Sequence, residues 1–135
     1  MCFGYGRGMQ HGWHQDSGAL EAGQFVLNRI VYPHGLSRDQ GALYFVPAST
    51  HRGLLTADPG PNHGPIQGEV ELLPTPGTLV LMHTRCFHRV GANRTASPRV
   101  MLNTRASPGG ARADVTRYPV FRSQTWDHST GQPWD

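Results

Sequence analysis

The sequence predicts an all-β domain of the sandwich or jelly-roll type, and three features indicate it. Glycine and proline are abundant, with 17 Gly and 11 Pro in 135 residues, a composition that favours turns over long helices. Short apolar runs recur roughly every ten residues, the spacing at which a strand crosses a sheet and returns. Apolar residues do not repeat with the period of an amphipathic helix, so we expect only a few short helices.

The predicted strands are short and are bounded by turn residues. The first is 24–32, which is rich in β-branched and aromatic residues and ends at Pro33. The second is 41–46, which ends at Pro47. Four more runs of strand length follow at 69–73, 78–82, 86–90 and 100–104. The tail, 105–135, has weak periodicity, and we expect it to wrap the outside of the core.

Length and composition limit the classes of protein that fit. We expect residues 1–135 to form a single domain, because this length suits one sheet-on-sheet core and no sizeable second one. The formal charge is +3, and the 12 basic residues, all Arg, are scattered rather than gathered into a nucleic-acid-binding stripe. Cys2 and Cys86 are too few for a disulfide scaffold, and no apolar run has the length of a membrane span. We therefore expect a cytoplasmic protein with no nucleic-acid or membrane partner.

The stretch 56–68 is a predicted loop that we regard as a candidate lid. It is rich in Gly and Pro and contains an Asp and an Asn, a composition that does not support a regular strand ladder. Loops of this kind often order over a bound substrate. We therefore expect residues 56–68 to close over a site.

A histidine and an aspartate two residues apart form a candidate metal-binding pair. His14 and Asp16 point to the same side of an extended segment, so one cation can contact both. A second histidine from a distant strand would complete the set of two histidines and one carboxylate that is typical of non-haem Fe(II) oxygenases. Such a set leaves three metal positions open for substrate and dioxygen.

Residue types alone leave the second histidine open. His83 and His88 both lie in the second half of the chain and both qualify. His11 would reach the same cation as His14 from a helix, but glycines on either side disfavour a helix there. The other histidines lie in loops or at strand ends, where solvated or hydrogen-bonded side chains are usual: His34, His51, His63 and His128.

Two longer segments resemble the phytanoyl-CoA dioxygenase family. In the first, from Ser37 to Gly53, a Gly-containing strand ends in Pro and is followed by a small residue and a His. The second runs from Gly77 to Arg94 and is followed by Pro98 and Arg99. Together with the His14 segment, the order and spacing of these motifs match the family from about Trp13 to Ser107.

The resemblance implies a double-stranded β-helix, a cupin-like jelly roll, with Fe(II) bound by His14, Asp16 and His88. It favours His88 over His83, and it assigns binding of the co-substrate 2-oxoglutarate to Arg99. A planar guanidinium suits this role because it forms two parallel charge-assisted hydrogen bonds with a carboxylate. The implied reaction uses dioxygen and converts 2-oxoglutarate to succinate while a small-molecule substrate is hydroxylated.

Several further residues are candidates for contacts around this site. Arg99 is predicted to begin the last core strand, and alternation puts Met101, Asn103 and Arg105 on the same face as Arg99. Gln15 lies between two ligands, so its amide either faces away or reaches the co-substrate. The remaining candidates for substrate or indirect contacts are Trp13, Ile30, Val90 and Asn103, with Trp13 expected to pack beside the metal site.

The chain also departs from the family pattern. It begins thirteen residues before His14, whereas similar members carry a long N-terminal region with outer helices, a first core strand and polar contacts to 2-oxoglutarate. Ile30 stands where the family has Trp, and Val90 where a small polar residue is frequent. We expect a fragment, a trimmed enzyme, or a subunit completed by a homodimer or a second chain that covers an exposed sheet edge. The competing hypothesis is a non-catalytic jelly-roll partner subunit that retains the metal site.

Overall fold

The fold comes from a computed structural model of the chain. The structure describes residues 2–16, 26–51 and 63–106 together with three short strands at 118–120, 124–127 and 132–134. Within these residues the only helices are two three-residue 3-10 turns, Arg38–Gln40 and Ser49–His51. No helix in the described part of the chain is long and apolar enough to cross a membrane.

The described chain forms eleven strands: β1 (Cys2–Tyr5), β2 (His11–His14), β3 (Leu27–Tyr32), β4 (Leu43–Phe45), β5 (Val70–Leu72), β6 (Thr78–His83), β7 (His88–Val90), β8 (Arg99–Ala106), β9 (Tyr118–Val120), β10 (Gln124–Asp127) and β11 (Gln132–Trp134). All six predicted strands are present, with ends that differ by at most three residues. The beginning of the first predicted strand, at 24–25, lies outside the described residues.

Two four-stranded antiparallel sheets carry the first eight strands. The first sheet has the order β1-β8-β3-β6, and the second has the order β2-β7-β4-β5. The chain passes back and forth between the two sheets, which is the topology of a jelly roll. The remaining strands form a separate three-stranded sheet in the order β11-β10-β9. The predicted all-β jelly roll with few short helices is therefore confirmed.

Three regions of strand were not among the six predicted: β1, β2, which was expected only as an extended segment, and the tail. β1 occupies the edge of the first sheet beside β8, with Tyr5 opposite Arg99. No strand was predicted before His14, and β1 lies there. Its four residues include a glycine, which weakens the strand signal. The tail contains β9 to β11, for which the sequence predicted no strands.

Alternation along β8 places its polar residues inward, as predicted. Arg99, Met101 and Asn103 are buried, whereas Leu102 and Thr104 are exposed. The apolar residues on this inner face form a cluster with partners from the neighbouring strands β3 and β6: Ile30, Tyr32, Met82 and Met101. The inner face of the first sheet thus combines this apolar cluster with the polar side chains of Arg99 and Asn103 on β8.

The second half of the candidate lid is attached to the outer face of the second sheet. Trp13 Nε1 donates a hydrogen bond of 2.8 Å to the Gly64 carbonyl, and Ile66 packs against the cluster that contains Trp13. Glu69 forms an ion pair with Arg89 of β7. Residues 52–62, which include the first half of the candidate lid, lie outside the described residues.

Candidate metal centre

Strand pairing brings the first histidine and the distal histidine together. β2 pairs with β7, and His14 is the cross-strand partner of His88. Asp16 follows β2 directly, and its backbone N–H donates a hydrogen bond of 2.9 Å to the Thr84 carbonyl. One potential ligand atom from each of His14, Asp16 and His88 lies within 4.8 Å of the other two.

Hydrogen bonds define which imidazole nitrogens face this cluster. His14 Nδ1 lies 2.7 Å from the Gly12 carbonyl, and His88 Nδ1 lies 2.8 Å from the Cys86 carbonyl. Because a carbonyl only accepts, each Nδ1 carries the proton, and each Nε2 presents its lone pair. The Nε2 atoms of His14 and His88 lie 3.2 Å and 3.7 Å from Asp16 Oδ1. Backbone carbonyls orient metal-binding histidines in many proteins in the same way.

The charge states of Asp16 and His88 also suit a divalent cation. Burial alone would raise the pKa of Asp16, but His88, His14 and Arg105 outweigh it and hold that pKa well below its usual range. Burial and the neighbouring His14 lower the pKa of His88 to about 4. At neutral pH the carboxylate is therefore ionised and the His88 imidazole is neutral, which are the forms that bind a metal.

The donor set fits Fe(II). Two imidazole nitrogens and one carboxylate oxygen form the facial arrangement that non-haem Fe(II) enzymes use, with positions left for other ligands. The His14 side chain is 27% exposed, whereas that of His88 is 7% exposed. The cluster is therefore enclosed on the His88 side and accessible on the His14 side.

Arg99 is a buried cation that has no carboxylate partner among the described residues. Its side chain is 1% exposed, and within the described residues neither Nε nor Nη1 has a hydrogen-bond partner. Nη2 lies 3.4 Å from Tyr32 Oη and 3.3 Å from Met101 Sδ, and the guanidinium lies 4.8 Å from the centre of the Tyr5 ring. A buried charge that lacks a partner is costly, so the arrangement fits an anionic ligand that completes it.

The alternative histidines lie outside the cluster. His83 is at the end of β6, where its Nδ1 accepts a hydrogen bond of 3.0 Å from the Arg85 backbone N–H. His11 is in β2, and its ring contacts the ring of His14 edge to face at 4.1 Å between centroids. Burial and His14 lower the pKa of His11 to about 4. The structure therefore groups His88, rather than His83 or His11, with His14 and Asp16.

The structure also gives the surroundings of the other predicted site residues. The Gln15 amide donates a hydrogen bond of 2.7 Å to the Arg85 carbonyl. Trp13 is buried and stacks on Phe87, as expected for a packing residue. The three remaining candidates are all buried on core strands: Ile30, Val90 and Asn103.

Sequence reasoning missed two residues that contact Asp16. Asn28 Nδ2 donates a hydrogen bond to Asp16 Oδ2, and Arg105 Nη2 lies 3.9 Å from the same oxygen. A signal for Asn28 existed, since it shares strand parity with Ile30 and Tyr32, and a polar residue in an inward position requires a partner. Arg105 was placed on the face of Arg99 without a role.

The family model described as phytanoyl-CoA dioxygenase (PhyH) matches residues 3–101. Members of this family use Fe(II), 2-oxoglutarate and dioxygen. No protein of curated function matches the chain.

Solved structures share the fold. AviO1 from Streptomyces viridochromogenes Tue57 is 23% identical with a TM-score of 0.60, over 83% of this chain and 49% of AviO1. ThoJ, described as a non-heme monooxygenase in its apo form, is 20% identical with a TM-score of 0.62, over 80% of this chain and 45% of ThoJ. The epimerase SnoN, in complex with Fe3+, alpha ketoglutarate and nogalamycin RO, is 21% identical with a TM-score of 0.53, over 78% of this chain and 52% of SnoN.

The chain thus spans about half the length of these solved structures. The family match covers most of the chain, and it includes the segments that hold His14, Asp16, His88 and Arg99. The chain belongs to the phytanoyl-CoA dioxygenase family.

Proposed function

We propose that this chain forms the core of an Fe(II)- and 2-oxoglutarate-dependent oxygenase that hydroxylates an unactivated C–H bond of a small molecule. The observation that carries the proposal is the combination of two sites in one jelly roll. One is the cluster of His14, Asp16 and His88, and the other is the buried Arg99 without a carboxylate partner. The first site suits Fe(II), and the second suits a dicarboxylate co-substrate.

The three cluster residues would hold the iron. The carbonyls of Gly12 and Cys86 keep the Nδ1 protons of the histidines in place, so that both Nε2 lone pairs point towards Asp16 Oδ1. The Asp16 charge offsets part of the charge of a divalent cation. When bound, iron and 2-oxoglutarate would activate dioxygen, which is the oxidant, for attack on a C–H bond.

Arg99 would hold 2-oxoglutarate by a carboxylate. Nε and Nη1 lie on the same guanidinium and lack partners within the described part of the chain, so they can donate to an anionic ligand. Tyr5 and Tyr32 border the guanidinium and exclude water from it. A charge-assisted hydrogen bond is stronger in such a dry environment than in water.

A carboxylate at position 16 bears on the reaction class. A Gly or Ala there would leave room for a halide on the iron, so Asp16 favours hydroxylation or a related oxidation over halogenation. SnoN is described as an epimerase from nogalamycin biosynthesis. This relative supports a small-molecule substrate and makes epimerisation the nearest alternative outcome at the same kind of site.

The second candidate function is a non-catalytic subunit that retains the metal site. Ile30 and Val90 favour it, because both are buried and apolar where the family has residues able to contact the co-substrate. In that case a homodimer or a second chain would supply the contacts that these residues do not make.

The test is an anaerobic titration of the metal-free protein with Fe(II) and then 2-oxoglutarate. We expect the visible charge-transfer band of the chelate in the wild-type protein and its loss in His88→Ala. His83→Ala is the matched control, since His83 lies in the same segment but outside the cluster, and it should retain the band. A folded, iron-loaded protein without the band would contradict co-substrate binding by this chain.

Catalysis is tested separately, by release of succinate from 2-oxoglutarate in air. Succinate that forms in the wild-type protein and not in His88→Ala supports the oxygenase. A protein that shows the charge-transfer band but releases no succinate, with or without small-molecule candidates, favours the non-catalytic subunit.

A further inference from the structure

We propose that Asn28 and Arg105 are positioning residues that hold Asp16 so that a bound metal ion receives only its Oδ1 atom. The inference rests on the proposed function, because it concerns the same metal site. It assigns a role to two residues that the family resemblance did not single out.

Asn28 and Arg105 form a connected set with the Asp16 carboxylate. Asn28 is buried, and its Nδ2 donates to Asp16 Oδ2. The other end of the same amide, Oδ1, accepts a hydrogen bond of 3.3 Å from Arg105 Nε. Arg105 Nη2 lies 3.9 Å from Asp16 Oδ2. The carboxylate oxygen that faces away from the histidines therefore has one hydrogen-bond donor, Asn28, and one nearby cation, Arg105.

The two positioning residues come from the sheet opposite the histidines. Asn28 of β3 and Arg105 of β8 are direct cross-strand partners. Their strands are six and eight residues long and lie next to each other within the first sheet. Both are paired on both sides, whereas β2, which carries His14, has an irregular register with β7. The first sheet, which is regularly paired, thus holds Asp16, the ligand that follows the irregularly paired strand β2.

The two oxygens of the Asp16 carboxylate therefore have different neighbours. Asp16 Oδ1 lies 3.2 Å from His14 Nε2 and 3.7 Å from His88 Nε2, where a metal ion would sit. Oδ2 accepts a hydrogen bond from Asn28 and lies near the Arg105 guanidinium. A carboxylate held in this way takes one metal position rather than two, which keeps the others for co-substrate and dioxygen. Groups that orient a metal ligand affect metal affinity without touching the metal.

The test uses Co(II) as an air-stable probe in the full chain, with the dissociation constant and the visible absorption spectrum as readouts. We expect Asn28→Leu and Arg105→Met to weaken Co(II) binding by about 10- to 100-fold and to change the spectrum, because a released carboxylate alters the coordination geometry. Arg105→Lys keeps the charge and a donor and should lie within about threefold of wild type. Thermal unfolding of each metal-free variant shows whether it is folded.

Exposed neighbours on the same strands provide matched controls. Arg29→Met and Thr104→Val change residues adjacent to Asn28 and Arg105 that point outward, and both should bind Co(II) like the wild-type protein. If Asn28→Leu does not fold, Asn28→Ser is measured instead, because its shorter side chain also loses the bond to Asp16.

The outcomes separate this inference from the proposed function. If the wild-type protein binds Co(II) and the folded variants bind it equally well with the same spectrum, the positioning role is overturned and the metal site stands. If the wild-type protein binds no Co(II), both proposals fall. Lower melting temperature with unchanged Co(II) affinity and spectrum would show that the two residues only stabilise the fold, which also overturns the inference.

Discussion

Two buried arginines, one in each four-stranded sheet of the jelly roll, have opposite surroundings. Arg89 of β7 is 7% exposed and forms two hydrogen bonds with Glu69, at 2.8 Å and 3.4 Å. Its guanidinium also lies 3.6 Å from the centre of the Tyr44 ring. Arg99 of β8 is 1% exposed and has no carboxylate partner among the described residues.

The difference fits a stabilising role for Arg89 and supports the proposed role of Arg99 in binding a ligand. Removing a guanidinium from water is costly, and the cost is offset only by well-placed partners. Glu69 and Tyr44 provide that offset for Arg89 on the outer face of the second sheet. Among the described residues, Arg99 has only Tyr32, Met101 and the Tyr5 ring beside it, so the cost of its burial is offset incompletely.

The largest effect is expected at Arg99. Arg99→Met should weaken 2-oxoglutarate binding to the iron-loaded protein by at least about 100-fold, because paired charge-assisted hydrogen bonds are lost. That factor corresponds to about 2.7 kcal/mol of binding free energy. The metal-free variant should be as stable as the wild-type protein or more stable, since an apolar side chain of similar size replaces an unpaired buried charge.

Two measurements check this prediction. Titration of 2-oxoglutarate into the iron-loaded protein gives the affinity, and chemical unfolding of the metal-free protein gives the stability. Arg29→Met is the control for loss of an arginine on an exposed position of the first sheet. A metal-free Arg99→Met protein that is less stable by more than about 2 kcal/mol would mean that Arg99 serves the fold.

For Arg89 we expect the opposite result, a loss of stability with little change in 2-oxoglutarate affinity. Arg89→Met should lower the free energy of unfolding by about 2 to 3 kcal/mol, because Glu69 is left as a partly buried charge without its cation. The double variant Arg89→Met with Glu69→Gln should recover more than half of that loss, since it removes the stranded charge. Affinity for 2-oxoglutarate should stay within about threefold of wild type. If Arg89→Met is as stable as the wild-type protein but binds 2-oxoglutarate tenfold more weakly, the proposed distinction between the two arginines is wrong.

The sequence was sufficient for the parts of the molecule that local pattern and motif spacing determine. Six core strands followed from runs of β-branched and aromatic residues bounded by turn residues, and strand parity placed Arg99 and Asn103 on the inner face. His14 and Asp16 were paired by their spacing, whereas the choice of His88 over His83 depended on the family resemblance. Residue types alone did not separate those two histidines.

Contacts between strands far apart in sequence were not predictable from local pattern. The pairing of Asn28 with Arg105 depends on the register of β3 and β8, and nothing local to either strand specifies it. The attachment of Gly64 to Trp13 likewise joins segments 51 residues apart. β1 was missed because a four-residue strand with a glycine gains its stability from the edge of β8 rather than from its own propensity.

The smallest effect is expected at a third arginine, whose ion pair is exposed. Arg38 Nη2 lies 2.8 Å from Glu71 Oε2, but the Arg38 side chain is 73% exposed. Arg38→Gln should change the free energy of unfolding by less than about 0.5 kcal/mol, because water solvates both charges when the pair is broken. Glu71 also accepts a hydrogen bond from Tyr44, whose ring lies against Arg89. If chemical unfolding shows that the variant loses more than about 1 kcal/mol of unfolding free energy, the upper end for a surface ion pair, these contacts form one network. In such a network the exposure of Arg38 alone does not determine how much its ion pair stabilises the fold.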